Sequence, residues 1–131
     1  IHEAAIGKIA GDQIIKLMTL GLTEEEALKK YGKIRTGRFN FGANGRAIAS
    51  SEEEGFVKVI CDDNYGEILG VHVIGSKATE MISAGVILME MEITIEEASE
   101  LIYAHPTFSE AILEACADCL GKALHLPKKK M

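Results

Sequence analysis

The period of hydrophobic and polar positions changes part-way along this 131-residue chain. Between residues 34 and 74, β-branched and aromatic side chains concentrate in short runs, which is typical of β-strands. From residue 77 onward, apolar side chains recur every three or four positions, which is typical of amphipathic helices. Strands followed by helices predict an α+β domain, in which an antiparallel β-sheet has helices packed on one face.

Four runs are predicted to form strands. They cover residues 34–41, a shorter stretch at 46–50, 56–62 and 67–74. The turn-forming residues from Asp62 to Gly66 predict a hairpin between the last two runs. The faces predicted for the last strand are Leu69, Val71 and Val73 on one side and Ile68, His72 and Ile74 on the other. Because both faces are largely apolar, we expect the sheet to be covered by more than its own surface helices. We expect His72 to be a packed or hydrogen-bonded core histidine.

Two helices are predicted before the strands. Residues 1–19 are predicted to be helical, because several apolar side chains fall near one stripe in spite of two interior glycines. Thr23 and Glu26 form the pattern of a capping box, which predicts a short helix that runs to Lys30. Gly32 follows as a plausible stop.

Three further helices are predicted after the strands. The first covers 78–93, and its stripe consists of Ala78, Met81, Ile82, Gly85, Val86 and Met89. Its flanks are apolar as well, so we expect this helix to lie between the sheet and a partner subunit. A second capping box begins at Thr94 and predicts a helix to about Tyr103. The last helix is predicted from residue 107 or 109 to about residue 123.

Length and charge restrict which functions the chain can have. It fits one domain, which we divide into a helical segment at 1–19, a main domain at 20–124 and a basic tail at 125–131. The net charge of −6 argues against nucleic acid as a partner. No apolar run reaches the roughly 18 residues of a membrane span, and the first residues do not form a signal-like block. Three cysteines argue against a secreted disulfide framework and predict a reducing cytoplasm.

The segment 105–110 carries the residues best suited to chemistry. Histidine has the unperturbed pKa nearest neutrality, so His105 is a candidate proton-transfer group. Pro106 keeps His105 out of helical geometry and permits a cis peptide, so the imidazole can fold back toward Glu110, which would orient the ring. Two structural alternatives stay open at this point. Thr107 with Glu110 is itself a capping-box pattern, and a His-Pro dipeptide is an ordinary boundary before a helix.

Several segments resemble the C-terminal domain of the pyridine nucleotide-disulfide oxidoreductases. The segment 105–111 reads HPTFSEA, and the segment 93–101 before it reads ITIEEASEL. Further segments follow the family's order: 21–27 (GLTEEEA), 41–47 (FGANGRA), 54–59 (EGFVKV), 68–75 (ILGVHVIG) and 78–82 (ATEMI). Together they span residues 20–120 or so, and they are most similar to the dihydrolipoamide dehydrogenase branch of the family.

This resemblance implies a role for named residues. By resemblance, His105 is a general acid/base that reaches across a homodimer interface into the partner's active site, and Glu110 is the carboxylate that orients it. Pro106 would lie near the partner's flavin. The whole enzyme would oxidise dihydrolipoamide carried on a lipoyl-bearing protein, and would pass the electrons from a redox disulfide through FAD to NAD⁺.

The sequence also departs from the family's full pattern. It contains neither a Gly-x-Gly-x-x-Gly phosphate loop nor a Cys-x-x-x-x-Cys redox pair, so FAD and NAD would be bound by other domains of the flavoprotein. We therefore expect this chain alone to be inactive, with no cofactor and no metal of its own. Two alternatives stay open: the interface domain of a glutathione- or mercuric-reductase-like enzyme, and a free-standing dimerisation or binding module without catalysis.

Cys116 and Cys119 form a Cys-x-x-Cys pair on one face of the last predicted helix. A zinc site would need two further ligands, and only His125 is nearby. A thioredoxin-like pair would lie at a helix N-terminus, whereas these cysteines lie in the middle of the helix. We therefore interpret both as packing cysteines.

Overall fold

A computed structural model describes residues 2–8 and 14–127 of the chain. Five antiparallel strands form one sheet in the order β1-β2-β5-β4-β3. The strands are β1 (His2–Lys8), β2 (Ile14–Gly21), β3 (Ile34–Asn40), β4 (Phe56–Asp62) and β5 (Ile68–Gly75). The helices are α1 (Glu24–Tyr31), α2 (Gly45–Ala49), α3 (Ala78–Glu90), α4 (Ile95–Ser99) and α5 (Glu110–Cys119). The predicted α+β fold class is confirmed.

The N-terminal segment forms strands and not a helix. β1 pairs with β2, and β2 pairs with β5, both in antiparallel register. The prediction of a helix at 1–19 is therefore wrong for 2–8 and for the part of β2 that it covers, while residues 1 and 9–13 lie outside the described residues. β2 is extended because it pairs with β5. Its alternate residues Met18 and Leu20 are buried on the face of the sheet that α3 covers, and these contacts outweigh the weak helical stripe.

The strand predicted at 46–50 is wrong, because residues 46–49 are helical and Ser50 is the C-cap of that helix. α2 begins after Asn44, whose side-chain oxygen accepts a hydrogen bond from the Ala47 N–H at 2.9 Å. Asparagine is among the strongest N-cap residues, and this local start signal outweighs the β propensity of Ile48. A short 3-10 turn, Phe41–Ala43, connects β3 to this helix.

The β4–β5 pair forms as predicted, with one irregularity. The register shifts between Ile60 and Cys61, which leaves Leu69 as an extra residue on β5. The bulge turns Ile68 into the same buried cluster as Val71, while Leu69 packs with Ile60 on the opposite face. The alternation predicted for this strand is therefore wrong at its first two residues.

Two hydrophobic clusters lie on the two faces of the sheet. The larger one receives buried side chains from α2, α3, α4 and α5. α3 packs over β2 and β5, whereas α5 packs over β3 and β4. On the opposite face, α1 buries Ala27 against Ile60 and Leu69. Most helices therefore cover one face as predicted, and α1 covers part of the other.

A close approach between α5 and β3 holds the last helix on the sheet. A Cβ atom at Gly37 would lie 2.0 Å from the Ala115 carbonyl oxygen, so only glycine permits this packing. Beside it, the Arg38 N–H donates a hydrogen bond to the Asp118 carboxylate at 2.9 Å. These contacts fix the helix whose first residue, Glu110, belongs to the candidate site.

Helix starts match their predictions better than helix ends. Thr23 caps α1, and Thr94 caps α4 with a reciprocal capping box, as predicted. α4 ends at Ser99 and α5 at Cys119, both several residues before their predicted ends. Gly121 follows α5 with a φ of 68°, a left-handed conformation that commonly ends a helix.

The C-terminal tail is described as far as residue 127, and Lys128, Lys129 and Lys130 lie outside the described residues. The division of the chain at residues 20 and 124 stays a prediction. Within the described ranges, every helix is too short or too polar to cross a bilayer.

Candidate acid–base site

The loop between α4 and α5 places His105 beside Glu110. The ring nitrogen Nδ1 lies 2.9 Å from Glu110 Oε2 and 3.0 Å from Glu110 Oε1. The peptide bond between His105 and Pro106 is cis. The predicted contact between the imidazole and this carboxylate is therefore confirmed.

Glu110 is held in place by the loop that precedes it. Its Oε1 accepts a hydrogen bond from the Thr107 N–H at 2.8 Å, and its own N–H donates to the Thr107 hydroxyl at 3.3 Å. These reciprocal bonds have the pattern of a capping box and lie in the turn just before α5, whose N-cap residue Ser109 makes no side-chain cap bond. The Thr107 hydroxyl also donates to the Ala104 carbonyl at 2.7 Å. The capping and pairing interpretations of Glu110 are compatible, because the same carboxylate makes both contacts.

The hydrogen bond to Glu110 determines which ring nitrogen of His105 can act as a base. A carboxylate only accepts, so Nδ1 carries the proton, and Nε2 keeps the free lone pair of the neutral ring. The His105 side chain is 72% exposed, against 21% for Glu110. The site thus presents a basic nitrogen to the surroundings, supported by a mostly buried carboxylate that stabilises the imidazolium.

Two contacts attach this loop to the rest of the domain. Phe108 packs edge-on against Phe41, with the ring centroids 6.2 Å apart. The Asn44 side chain donates a hydrogen bond from Nδ2 to the Thr107 carbonyl at 3.0 Å. Phe41 and Asn44 are both buried, so the loop rests on ordered groups. Asn44 precedes a glycine at a helix start, which is a pattern typical of an N-cap residue. This signal was not used in the prediction.

A cavity of about 150 Å³ lies beside the pair. Its lining includes His105, Glu110, Asn44 and a second histidine–carboxylate pair, Glu114 with His125. The buried Glu114 carboxylate accepts a hydrogen bond from the His125 backbone N–H at 3.1 Å and lies 3.5 Å from its Nδ1. Neither residue was predicted to belong to this site. The one available signal was that Glu114 follows Glu110 by one helical turn.

An apolar surface adjoins the loop on the α3 side. We call it the α3 surface and define it by Ile87, Leu101 and Ile102, which are exposed large side chains, Ile102 by 99%. Together with Tyr103 and Ala104 they line a groove of about 390 Å³. A contiguous exposed apolar surface of this kind is typical of an interaction site. The expectation that α3 is covered by a partner subunit stays a prediction.

The three cysteines are free thiols in the core. Cys61, Cys116 and Cys119 are all buried. Burial, and to a lesser extent the nearby Cys61, raises the pKa of Cys116 to about 12. A hydrogen bond with the Cys119 thiol lowers the pKa of Cys61, against the opposing effect of burial. The burial of Cys116 and Cys119 supports their interpretation as packing residues.

Burial also perturbs two other titratable groups. His72 is half-buried, with Nε2 3.0 Å from the Leu22 carbonyl, and burial lowers its pKa. It is therefore a hydrogen-bonded histidine at the edge of the core, as predicted. Burial raises the pKa of Tyr103 to about 12, so this phenol stays neutral beside the His105 loop.

Comparison with known proteins gives the family of this fold. A family model described as the pyridine nucleotide-disulphide oxidoreductase, dimerisation domain, matches residues 14–116. The chain belongs to this family. The matched range of the dimerisation domain begins with β2 and ends within α5, so it includes the loop that carries both His105 and Glu110.

Curated relatives of this dimerisation domain are named dihydrolipoyl dehydrogenase, which is the same enzyme as dihydrolipoamide dehydrogenase. The relative from Rhizobium etli is 42% identical over 127 residues, covering 95% of this chain and 26% of its own length. A relative from Bacillus subtilis is 39% identical over 110 residues, covering 84% of this chain and 24% of its own length. The chain therefore spans about a quarter of the length of the relatives that it matches.

Solved structures share the fold of this dimerisation domain. LpdA from Mycobacterium tuberculosis matches with a TM-score of 0.70 at 25% identity, covering 87% of this chain and 24% of that chain. RclA, an HOCl-induced flavoprotein disulfide reductase from Escherichia coli, matches with a TM-score of 0.71 at 25% identity, covering 78% of this chain and 23% of that chain. These findings confirm the resemblance drawn from the sequence. They do not favour the two alternatives, a glutathione- or mercuric-reductase-like enzyme and a non-catalytic module.

Proposed function

We propose that this chain acts as the dimerisation domain of a flavin-dependent dihydrolipoamide dehydrogenase and supplies His105 and Glu110 to the active site of the partner subunit. The whole enzyme oxidises protein-bound dihydrolipoamide with NAD⁺. The observation that carries this proposal is an exposed imidazole whose Nδ1 is hydrogen-bonded to a mostly buried carboxylate. Such a pair is suited to general acid–base catalysis, because the carboxylate fixes the tautomer and stabilises the protonated ring.

His105 would act on the thiols of dihydrolipoamide. Nε2 takes the proton from a thiol S–H, while Glu110 keeps its hydrogen bond to Nδ1 and stabilises the imidazolium. The resulting thiolate attacks the enzyme disulfide, so one S–S bond forms, another breaks, and an enzyme thiolate leaves. The second substrate thiol gives its proton to the enzyme thiolate that left first, and its sulfur then displaces the remaining enzyme sulfur as a thiolate. The substrate ends as a cyclic disulfide, and the enzyme disulfide has accepted two electrons.

FAD and NAD would be held by other domains of the flavoprotein. This sequence has no dinucleotide phosphate loop and no Cys-x-x-x-x-Cys pair, so its residues do not fit either cofactor. FAD bound in those domains would supply the electron transfer from the reduced dithiol to NAD⁺. This chain contributes His105 and, by family resemblance, Pro106 near the partner's flavin. We expect the chain to be inactive by itself.

A homodimer is the assembly that would bring the pair to its substrate. The α3 surface adjoins the loop of His105, and a second copy that covers it would remove apolar side chains from water. A lipoyl-bearing protein would deliver the substrate to the assembled site. We place the enzyme in the cytoplasm, because all three cysteines of this chain are free thiols.

Substitution of the pair in the full-length flavoprotein tests this proposal. His105→Gln should lower kcat for dihydrolipoamide oxidation by about 10²–10⁴-fold, because the thiol loses its base. Glu110→Gln keeps the shape of the side chain and removes its charge. It should cause a smaller loss, since the amide oxygen can still accept the Nδ1–H bond that orients the ring. Unchanged turnover in His105→Gln would remove this residue from the mechanism.

NADH-dependent reduction of a dye provides the internal control. That reaction takes electrons from the flavin without involving a dihydrolipoamide thiol, so both variants should retain it. Lys29→Gln changes an exposed side chain of α1 that does not line this cavity, and it should retain both reactions. A variant that loses dye reduction together with thiol oxidation has lost flavin or fold, and its FAD content distinguishes that case from the loss of a base.

A further inference from the structure

Asn44 is a buried polar residue that uses both ends of its side-chain amide. It is 4% exposed and stands at the start of α2. Its Oδ1 accepts a hydrogen bond from the Ala47 N–H at 2.9 Å, which caps the helix. A cap needs only an acceptor, and serine, threonine or aspartate would serve equally well. The second contact, from Nδ2 to the Thr107 carbonyl at 3.0 Å, needs a donor, which those side chains do not offer in the same position.

The Thr107 backbone connects this asparagine to the acid–base pair. Its carbonyl is held by Asn44, and its N–H donates to Glu110 Oε1 at 2.8 Å. The other carboxylate oxygen, Oε2, lies 2.9 Å from His105 Nδ1. A continuous series of hydrogen bonds therefore runs from the start of α2 through one loop residue to the imidazole.

We propose that Asn44 is a positioning residue for the His105–Glu110 pair. It fixes the Thr107 backbone and thereby keeps the Glu110 carboxylate in contact with the His105 ring. This inference rests on the proposed function and adds to it a residue from a separate element of the fold. Without the Nδ2 donor, the Thr107 carbonyl loses its partner and the loop gains freedom. Glu110 then spends less time in the geometry that orients and stabilises the ring.

The charges around the site make it possible to distinguish a change in the geometry of the pair from a change in the charge around His105. The titratable groups that line the cavity with His105 are Glu110 and Glu114 on α5 and His125 on the C-terminal segment. The described lining residues from β3, the 3-10 turn and α2 are uncharged. A neutral substitution at position 44 leaves all of these charges in place. A change in the pH dependence of the reaction would therefore report a change in geometry.

Asn44→Ser in the full-length flavoprotein separates the cap from the positioning bond. Serine keeps an oxygen that can cap α2, and its shorter side chain lacks the Nδ2 donor that reaches Thr107. We expect kcat/KM for dihydrolipoamide to fall by about 10-fold or more, because small misplacements of a catalytic group are costly. Its pH profile should differ from that of the wild type, while FAD content and dye reduction are retained. Asn40→Ser is the matched control, since this exposed asparagine bonds only Arg38 among the contacts described, and it should change neither quantity.

Two results would overturn the inference. One is a wild-type kcat/KM and pH profile in Asn44→Ser. The other is a loss of activity that follows a loss of FAD and leaves the pH profile unchanged, because that pattern shows a purely structural role. His105→Gln distinguishes this failure from failure of the proposed function. If His105→Gln is inactive while Asn44→Ser is normal, only the inference about Asn44 fails; if His105→Gln keeps its turnover, the proposed function fails as well.

Discussion

Glu110 makes two contacts that are usually made by different side chains. It accepts the Nδ1–H of His105 at 2.9 Å and the Thr107 N–H at 2.8 Å. An ionised carboxylate can accept several hydrogen bonds, so the bond that starts α5 and the bond that orients the imidazole do not compete. The orientation of His105 is therefore coupled to the start of a helix that is itself fixed on the sheet.

Thiol labelling tests the packing role of the cysteines at the scale of single residues. Cys61, Cys116 and Cys119 are buried, and burial raises the pKa of Cys116 to about 12. Because the thiolate is the reactive form, we expect the folded chain to resist a disulfide reagent at about pH 8. All three thiols should react once the chain is unfolded in denaturant. Rapid labelling of Cys116 in the folded chain would show that this part of the core is open.

At the scale of elements, the packing of α5 on β3 can be tested by adding one methyl group. Gly37→Ala places a Cβ atom 2.0 Å from the Ala115 carbonyl oxygen, so the helix and strand must separate. We expect the free energy of unfolding in urea to fall by about 1–3 kcal/mol. Gly42→Ala is the control, because a Cβ atom there meets nothing within 4 Å. Equal stabilities of the two variants would contradict this packing.

Elements could be predicted from the sequence where local pattern and tertiary contacts agree. β4 has the predicted bounds, Phe56–Asp62, because β propensity, the following turn and burial all favour the same residues. β2 could not be predicted, since its extended form depends on pairing with β5, which is distant in the sequence. The bulge at Leu69 was missed for a similar reason. It is defined by the register of two strands and not by the alternation within one of them.

The same distinction applies to the candidate site. The contact between His105 and Glu110 could be predicted, because the residues are close in sequence and a proline restricts the chain between them. The contact between Asn44 and Thr107 joins residues 63 positions apart, which no local pattern specifies. The Glu114–His125 pair joins residues 11 positions apart across the end of a helix. Both were missed, because they depend on how the elements pack.

At the scale of the whole molecule, the α3 surface and the His105–Glu110 pair lie side by side. Tyr103 and Ala104 line the groove of the α3 surface, and the next residue along the chain is His105. α5 holds Glu110 over strands β3 and β4, while α3 covers strands β2 and β5. A partner that covers the α3 surface would therefore be held next to the exposed imidazole. This arrangement suits a site completed by two subunits.

The oligomeric state tests the proposed role of the α3 surface. Sedimentation of the 131-residue chain at micromolar concentration should show a dimer. Ile102→Glu should shift it toward monomer, because a charge buried without a partner opposes association. Tyr65→Glu is the matched control, since Tyr65 is also a large exposed side chain but lies in the β4–β5 turn. A wild-type chain that sediments as a monomer would count against the interpretation of this surface.

Subunit complementation in the full-length flavoprotein tests most directly whether His105 acts across the interface. One variant carries His105→Gln, and the other lacks a cysteine of the redox disulfide, so each homodimer lacks one essential group and should be inactive. A mixed dimer has one site that combines the intact disulfide of the first subunit with His105 of the second. We expect dihydrolipoamide oxidation to recover to about a quarter of the wild-type rate after random subunit exchange. Mixed dimers that form but remain inactive would contradict a histidine supplied by the partner subunit.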